Sequence, residues 1–295
     1  MTTVTHPPRP APCARFYQDA PQQTDADGSA HWISRAGNFV VVVTRAAAGA
    51  VLERTRQDDE YMVLLPENIA ATLQAGDQAV DSPGDALTIM PPGASRVTVA
   101  TAGYVYRVFS NRATDLLERA GNAREYDGVA DVAPLVPWPA PVGGYRLRHY
   151  RLADHVRPGT PMRLFRSSNL MMNVFVPTEK PRDVRKMTPH SHDDFEQGSL
   201  ALSGKFVHHL RWPWTPDLPS WREDEHVQVG SPSLIVMPPN VIHTSQTFEG
   251  ERIRLVDIFS PPRADFSLKP GLVCNADEYP LPEELRDQAP AATAA

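Results

Sequence analysis

Cysteine is almost absent from this 295-residue sequence, which contains only Cys13 and Cys274. Two cysteines so far apart do not make the disulfide framework that stabilises small secreted domains. No apolar run approaches the roughly 18 residues that a membrane-spanning helix needs, and residues 1–15 lack the apolar core of a signal peptide. We therefore expect a cytoplasmic protein that does not have a membrane as its partner.

The sequence also lacks a cluster of basic residues, and its formal net charge is −6. Proteins that bind nucleic acid usually carry a basic patch that neutralises phosphates. We therefore do not expect nucleic acid to be the main partner.

Proline is abundant instead, with 30 prolines and 17 glycines, which predicts many turns and few long helices. Short β-rich segments, such as residues 39–44, 61–65, 104–109 and 171–176, are separated by turn residues. This pattern is typical of an all-β sandwich or barrel. One helix is predicted over residues 113–119.

Three histidines and one glutamate are the strongest functional signal. His190 and His192 are one residue apart, so they lie on the same face of a strand, and Glu196 shares that face if the strand continues. His243 follows an apolar run and a Pro-Pro-Asn turn, so a neighbouring strand could bring it to the same place. Three imidazoles and a carboxylate suit a divalent first-row metal and leave coordination positions open for a ligand.

This constellation resembles the cupin superfamily, whose first motif is G-x(5)-H-x-H-x(3,4)-E-x(6)-G. His190, His192 and Glu196 match its ligand positions, but seven residues rather than six separate Glu196 from Gly204. We therefore predict a one-residue β-bulge near residues 197–198.

The second cupin motif, G-x(5)-P-x-G-x-x-H-x(3)-N, is matched by Gly230, Pro238 and His243. Asn240 replaces the central glycine, and asparagine also tolerates the positive φ that this position requires. Thr247 stands in place of the final asparagine.

The two halves of the chain repeat these spacings. Residues 54–60 match 190–196, and residues 84–96 parallel 230–243, with residues 211–221 as an insertion in the second half. This resemblance to a bicupin implies an all-β fold of two tandem cupin barrels, also called double-stranded β-helices or jelly rolls. The expected units are an N-terminal arm (1–30), an N-terminal barrel (31–128), a linker (129–143), a C-terminal barrel (144–265) and a tail (266–295).

Arg54, Arg56 and Arg96 stand in the first half where the second half has its three histidines. A guanidinium group stays protonated and cannot ligate a metal, so the N-terminal barrel is predicted to be metal-free. Ion pairing with Asp58, Asp59 or Glu60 is favoured over anion binding for these arginines.

Four further residues are candidates for substrate binding: His208, Asn173, Phe175 and Trp212. His208 and His209 follow one another on a strand, so one of them faces inward and could act as an acid or base. A purely structural role in the core is the alternative for His208. Trp212 either forms a lid or wall of the pocket or packs between the barrels or across a dimer.

A centre of three histidines and one glutamate is similar to that of the quercetin dioxygenase group. The resemblance implies that His190, His192 and His243 hold the metal and that Glu196 is both ligand and base. We expect a dioxygenase that uses Fe(II), with Mn, Ni, Cu or Zn as alternatives, on a small oxygenated organic substrate and dioxygen. Because the fold hosts several chemistries, an isomerase or lyase acting on a sugar acid or small carboxylate stays open. A non-enzymatic binding protein also stays open. A homodimer is expected because cupin barrels commonly pair through sheet edges.

Overall fold

Residues 9–288 are described by a computed structural model and consist mainly of β-strands. The strands are β1 Cys13–Ala14, β2 Gln23–Thr24, β3 Ala30–Arg35, β4 Phe39–Ala46, β5 Val51–Arg54, β6 Tyr61–Leu65, β7 Ala71–Ala75, β8 Gln78–Ser82, β9 Ala86–Met90, β10 Ser95–Val99, β11 Gly103–Ser110, β12 Arg148–Arg151, β13 Leu164–Arg166, β14 Met171–Val174, β15 Gln197–Ser203, β16 Phe206–Arg211, β17 Glu225–Val229, β18 Ser233–Met237, β19 Ile242–Thr247 and β20 Arg254–Phe259. The α-helices are α1 Thr114–Arg119, α2 Ala264–Ser267 and α3 Glu283–Arg286, and 3-10 turns span Ala123–Tyr126, Leu152–His155 and Leu218–Ser220.

The strands form two barrels, each made of one large and one small antiparallel sheet. In the N-terminal barrel the orders are β12-β9-β6-β11-β4-β3-β2 and β5-β10-β7-β8. In the C-terminal barrel they are β1-β18-β15-β20-β14-β13 and β17-β16-β19. Most neighbours in a sheet are not consecutive in the chain, as expected for jelly rolls. The prediction of an all-β fold with two tandem barrels is confirmed, as is the helix predicted near residues 113–119.

Two strands cross between the barrels. β1 lies in the segment predicted as an arm, but it pairs with β18 of the C-terminal barrel, with Cys13 opposite Ile235. β12 lies in the second half of the chain, but it pairs with β9 of the N-terminal barrel, with Arg148 opposite Ile89. Alternation along the sequence indicates that a segment is a strand, but it carries no information about which sheet edge the strand joins.

The large sheets of the two barrels pack against each other, which explains strands that are apolar at every position. All five residues of β6 are buried. Tyr61 and Val63 face the interior of the N-terminal barrel, whereas Met62 and Leu64 belong to an apolar layer shared with Val236 and other residues of the C-terminal barrel. A sheet that is covered on both faces requires a continuous apolar run rather than strict alternation.

The interiors of the two barrels differ. One large apolar cluster fills much of the N-terminal barrel. In the C-terminal barrel the apolar side chains form three smaller clusters. Buried polar side chains lie on its interior strands, and they are Asn173, Gln197, Ser199, His208 and His243. The interior of the C-terminal barrel therefore contains polar side chains as well as small apolar clusters. Among the helices of residues 9–288, none is long and apolar enough to cross a membrane.

Candidate metal centre

Three histidines meet at one end of the C-terminal barrel. His190 and His243 lie opposite each other in an isolated antiparallel bridge, and the backbone N–H of each donates to the carbonyl of the other, at 3.1 and 2.8 Å. His192 follows two residues after His190. One ring nitrogen from each of the three side chains lies within 4.8 Å of the others, a spacing compatible with a shared metal ion.

The hydrogen bonds of two rings determine which nitrogen is free. Nδ1 of His190 lies 3.0 Å from the carbonyl of Thr188, and Nδ1 of His243 lies 2.9 Å from the carbonyl of Val241. A carbonyl only accepts hydrogen bonds, so each Nδ1 carries the hydrogen and each Nε2 keeps its lone pair. Nε2 of His243 is buried and has no hydrogen-bond partner among residues 9–288. Such a buried, unpaired acceptor is costly, and a cation would satisfy it.

The protonation state of the buried rings also suits a metal. Burial lowers the pKa of His192 to about 4 and that of His243 to about 3. Both rings are therefore neutral at pH 7, which is the state in which imidazole ligates a metal. The donor set fits a divalent transition metal.

Glu196, the predicted fourth ligand and base, is not part of this cluster. Its carboxylate accepts hydrogen bonds from the Tyr126 hydroxyl (3.0 Å) and the Gly37 backbone N–H (2.5 Å), and it pairs with Arg9. The prediction assumed that the strand continues through residues 191–196, but this segment is irregular and β15 begins only at Gln197. The period-2 rule does not hold across an irregular segment.

Gln197 occupies the position that Glu196 was expected to take. Its Oε1 lies 3.0 Å from Nε2 of His192, and its Nε2 donates to Asp257 at 3.2 Å. The first motif allows three or four residues before its acidic position. Choosing four aligns Gln197 with the glutamate and places Gly204 at the expected spacing. The spacing to Gly204 could therefore have identified Gln197 from the sequence alone. The bulge was predicted at the wrong position: β15 pairs with β18 in regular register from Gln197 to Ala201, and the irregularity lies between Ala201 and Ser203, where the register with β20 shifts.

The turn of the second motif adopts the predicted conformation. Asn240 has a φ of 63°, which confirms the inference that asparagine replaces glycine at a position with positive φ. Its backbone N–H donates to the carbonyl of His192 at 2.6 Å. The turn before β19 therefore holds the segment that carries His192 next to the one that carries His243.

A cavity of about 440 Å³ adjoins the histidines. Its lining includes His190, His243, Gln197, Phe175, Asp257 and Arg182. Asp257 is the carboxylate among its lining residues, and it also accepts a hydrogen bond from the Ser199 hydroxyl at 3.2 Å. Burial raises the pKa of Asp257 to about 7. The sequence analysis did not select Asp257, although an aspartate in the middle of the apolar strand 254–259 could have identified it as a candidate site residue.

Two cationic side chains, Arg182 and Lys180, also line the cavity. Arg182 is held by its backbone N–H, which donates to the Thr247 hydroxyl at 2.8 Å, and by its guanidinium, which donates to the Ser245 carbonyl at 3.2 Å. Within residues 9–288, neither Arg182 nor Lys180 forms an ion pair with a carboxylate. The cavity thus offers positive charge to a bound anion.

The structure brings only one of the four predicted substrate-binding residues, Phe175, to the wall of this cavity. His208 faces inward and is buried, and its Nδ1 lies 2.8 Å from the Ser245 hydroxyl. Asn173 is also buried and accepts a hydrogen bond from the Arg163 backbone N–H at 3.2 Å.

Trp212 lies elsewhere. It is buried beside the N-terminal segment, and its indole N–H donates to the carbonyl of Arg9 at 3.1 Å. It lines a separate cavity together with Arg9 and residues 127–131. The sequence shows that Trp212 belongs to an insertion, but the residues around it do not indicate which surface the insertion covers.

In the N-terminal barrel, each of the three arginines forms an ion pair, but pairing with Asp58, Asp59 or Glu60 is confirmed only for Arg56. Arg56 pairs with Asp58 at 3.0 Å, as expected. The other two have partners that the sequence analysis did not consider. Arg54 pairs with Asp115 (2.7 Å), and Arg96 pairs with Glu53 (2.9 Å).

The chain has the fold of a bicupin, with two cupin-type barrels and a cluster of three histidines in the second. No family model and no curated protein matches the sequence. The structure is similar to the oxalate decarboxylase of Lactobacillus farciminis in complex with formate, with a TM-score of 0.57, 12% identity, and coverage of 85% of this chain and 86% of that chain. It is also similar to the oxalate decarboxylase of Bacillus subtilis, which has Mn(II) centres, with a TM-score of 0.57, 13% identity, and coverage of 94% and 86%. AerE from Microcystis aeruginosa matches with a TM-score of 0.52, 9% identity, and coverage of 79% and 93%. At these identities, the similarity establishes the fold.

Proposed function

We propose that this protein is a metal-dependent lyase that removes carbon dioxide from a small carboxylate. The observation that carries this proposal is a cavity that joins two of the three clustered histidines, His190 and His243, to Arg182, a guanidinium without a carboxylate partner among residues 9–288. A carboxylate substrate would pair with Arg182 while its other end approaches the histidines. The reaction corresponds to the lyase alternative of the sequence analysis. The oxalate decarboxylases with the same fold favour it over the dioxygenase.

His190, His192 and His243 would hold a divalent metal, with Mn(II) and Fe(II) as the two candidates. When bound, such an ion acts as a Lewis acid that polarises a carboxylate or carbonyl oxygen of the substrate. The Nδ1 hydrogen bonds of His190 and His243 to backbone carbonyls keep their Nε2 atoms directed toward the shared point.

The chain's own residues would bind the substrate and supply the proton. A guanidinium forms two parallel hydrogen bonds with a carboxylate, so Arg182 would fix the orientation of the substrate as well as attract it. Loss of carbon dioxide breaks a carbon–carbon bond and leaves an electron pair on the remaining carbon, which must accept a proton. Asp257 lines the same cavity, and a carboxyl group whose pKa is about 7 can hold that proton and release it.

The test is an assay of the purified protein, reconstituted with Mn(II) or Fe(II), against a panel of small mono- and dicarboxylates. We expect release of carbon dioxide without net consumption of dioxygen, and loss of this activity in His192→Ala together with most of the bound metal. Arg56→Ala, which changes an exposed arginine of the other barrel, is the matched control and should keep both. Stoichiometric consumption of dioxygen would instead support the dioxygenase. Carboxylate binding without turnover would support a binding protein.

A further inference from the structure

The N-terminal barrel contains a second cavity of about 260 Å³ whose most unusual wall residue is Arg107. Arg107 lies on β11 between Val105 and Phe109, two interior residues, so alternation directs its side chain into the barrel. Arg107 is only 7% exposed. Its guanidinium forms no hydrogen bond or ion pair with any group of residues 9–288, and its Nε is fully buried.

This cavity is the counterpart of the one beside the histidines. Arg107 lies opposite Val63 of β6, and Asp257 lies opposite Ser199 of β15. Val63 and Ser199 are 136 residues apart, the same offset that separates the repeated motifs at 54–60 and 190–196. Arg107 therefore occupies in the first barrel the position that Asp257 occupies in the second.

The carboxylates around this cavity are already engaged. Asp25 binds the ring of His31 at 2.8 Å, and Glu53, at the rim, pairs with the exposed Arg96 at 2.9 Å. Of the other two arginines that line the cavity, Arg54 pairs with Asp115. Arg119 is exposed and donates a hydrogen bond to the side-chain oxygen of Gln23. Within the described part of the chain, two of the three guanidinium groups that line the cavity thus lack a carboxylate.

Arg107 is nevertheless charged at neutral pH. Burial is the main cause that lowers its pKa, to about 10; Arg54 and Arg119 also lower it, whereas Tyr61 and Asp25 raise it. A buried charge without a partner destabilises a fold by several kcal/mol. A guanidinium whose donors face a cavity would be satisfied by an anion, and its planar fork matches oxyanions.

We propose that the N-terminal barrel binds a small oxyanion, a carboxylate or a phosphate, between Arg107 and Arg119. In this protein one barrel would carry a metal centre, and the equivalent cavity of the other would carry an anion site without a metal. The proposal does not depend on the function proposed for the C-terminal barrel.

The test is calorimetric titration of the full chain carrying both His243→Ala and Arg182→Gln, so that anion binding in the C-terminal cavity, at the histidines or at Arg182, does not contribute. The probes are malonate and inorganic phosphate. We expect one equivalent of at least one probe to bind, and Arg107→Met to weaken that binding by about 10-fold to 100-fold. Arg56→Met, at an arginine whose side chain is 83% exposed, is the matched control and should bind like the parent. Binding of malonate would identify the ligand as a carboxylate, and binding of phosphate would identify it as a phosphate.

Thermal unfolding separates binding from folding. The bound probe should raise the melting temperature of the parent but not that of Arg107→Met. Without a probe, Arg107→Met should be at least as stable as the parent, because it removes an unpaired buried charge. The proposal is overturned if neither probe binds or if Arg107→Met binds as tightly as the parent. It is also overturned if Arg107→Met is less stable without a probe, since Arg107 would then be structural.

Discussion

Glu60 and Glu196 hold the two barrels together in a reciprocal way. They occupy equivalent positions of the repeated motif, and both are almost fully buried. Each carboxylate accepts one hydrogen bond from the backbone N–H of a hairpin turn and one from a tyrosine hydroxyl, all four from the other half of the chain. These partners are Gly37 and Tyr126 for Glu196, and Ser168 and Tyr279 for Glu60. The repeated glutamates thus serve the contact between the barrels.

Replacing Glu196 with alanine should destabilise the protein without removing its metal. The change would leave Arg9 and the Tyr126 hydroxyl without their buried partner, at a cost of about 3–5 kcal/mol. Urea unfolding would measure the loss, and elemental analysis would measure metal per chain. Glu223→Ala, at an exposed glutamate, is the control and should change neither. Loss of metal with unchanged stability would restore Glu196 as a ligand.

Replacing Gln197 with glutamate should strengthen metal binding. The side chain already lies next to His192 at the motif's carboxylate position, and an anionic ligand attracts a divalent cation more strongly than an amide does. We expect the dissociation constant for Mn(II) to fall by about tenfold, measured by competition with a chelator. Gln246→Glu is the control, because Gln246 is an odd number of residues after His243 on β19, faces the other side of the sheet and contacts His209, so Mn(II) affinity should be unchanged. Equal affinity of Gln197→Glu and the parent would show that this position does not reach the metal.

Replacing Arg182 with glutamine should weaken carboxylate binding in the C-terminal cavity. Loss of one charge-assisted contact corresponds to about 10-fold to 100-fold in affinity. Titration of the metal-loaded protein with a small carboxylate measures it directly, and the same change should appear as a higher KM in an active preparation. Arg185→Gln, an exposed arginine of the same loop, is the matched control. If both variants bind alike, Arg182 does not recognise the carboxylate.

The buried His208 predicts a loss of stability in acid. Burial lowers the pKa of His208 to about 4, whereas in the unfolded chain a histidine titrates near pH 6.5. Between these values the unfolded state binds a proton that the folded state does not. The free energy of unfolding therefore falls as the pH falls from about 6.5 to about 4, by about 3 kcal/mol in total from this group.

Urea unfolding at pH 7 and at pH 4.5 would test this dependence in the parent and in His208→Gln. The variant should lose less stability between the two pH values, because it lacks the group that titrates in the unfolded state. A loss of the same size in both proteins would mean that His208 does not remain neutral in the folded state.

The amino-acid sequence by itself determined the β-strands, the two barrels and the three histidines. Each of these depends on local order: turn residues between short apolar runs, a spacing repeated in both halves, and histidines at an even step. The positive φ of Asn240 could also be predicted, because the tolerance of a residue for positive φ is a local property.

Only the tertiary structure decided how distant segments meet. The alternation of side chains along a strand does not continue through the irregular residues 191–196. Glu196 therefore points toward the other barrel, and Gln197 points toward the histidines. The approach of Arg182 to Asp257 in one cavity, and the isolation of Arg107 in the other, come from the pairing of strands far apart in the chain. The period of a strand assigns a side chain to one of two faces, but the partner strands determine what that face meets.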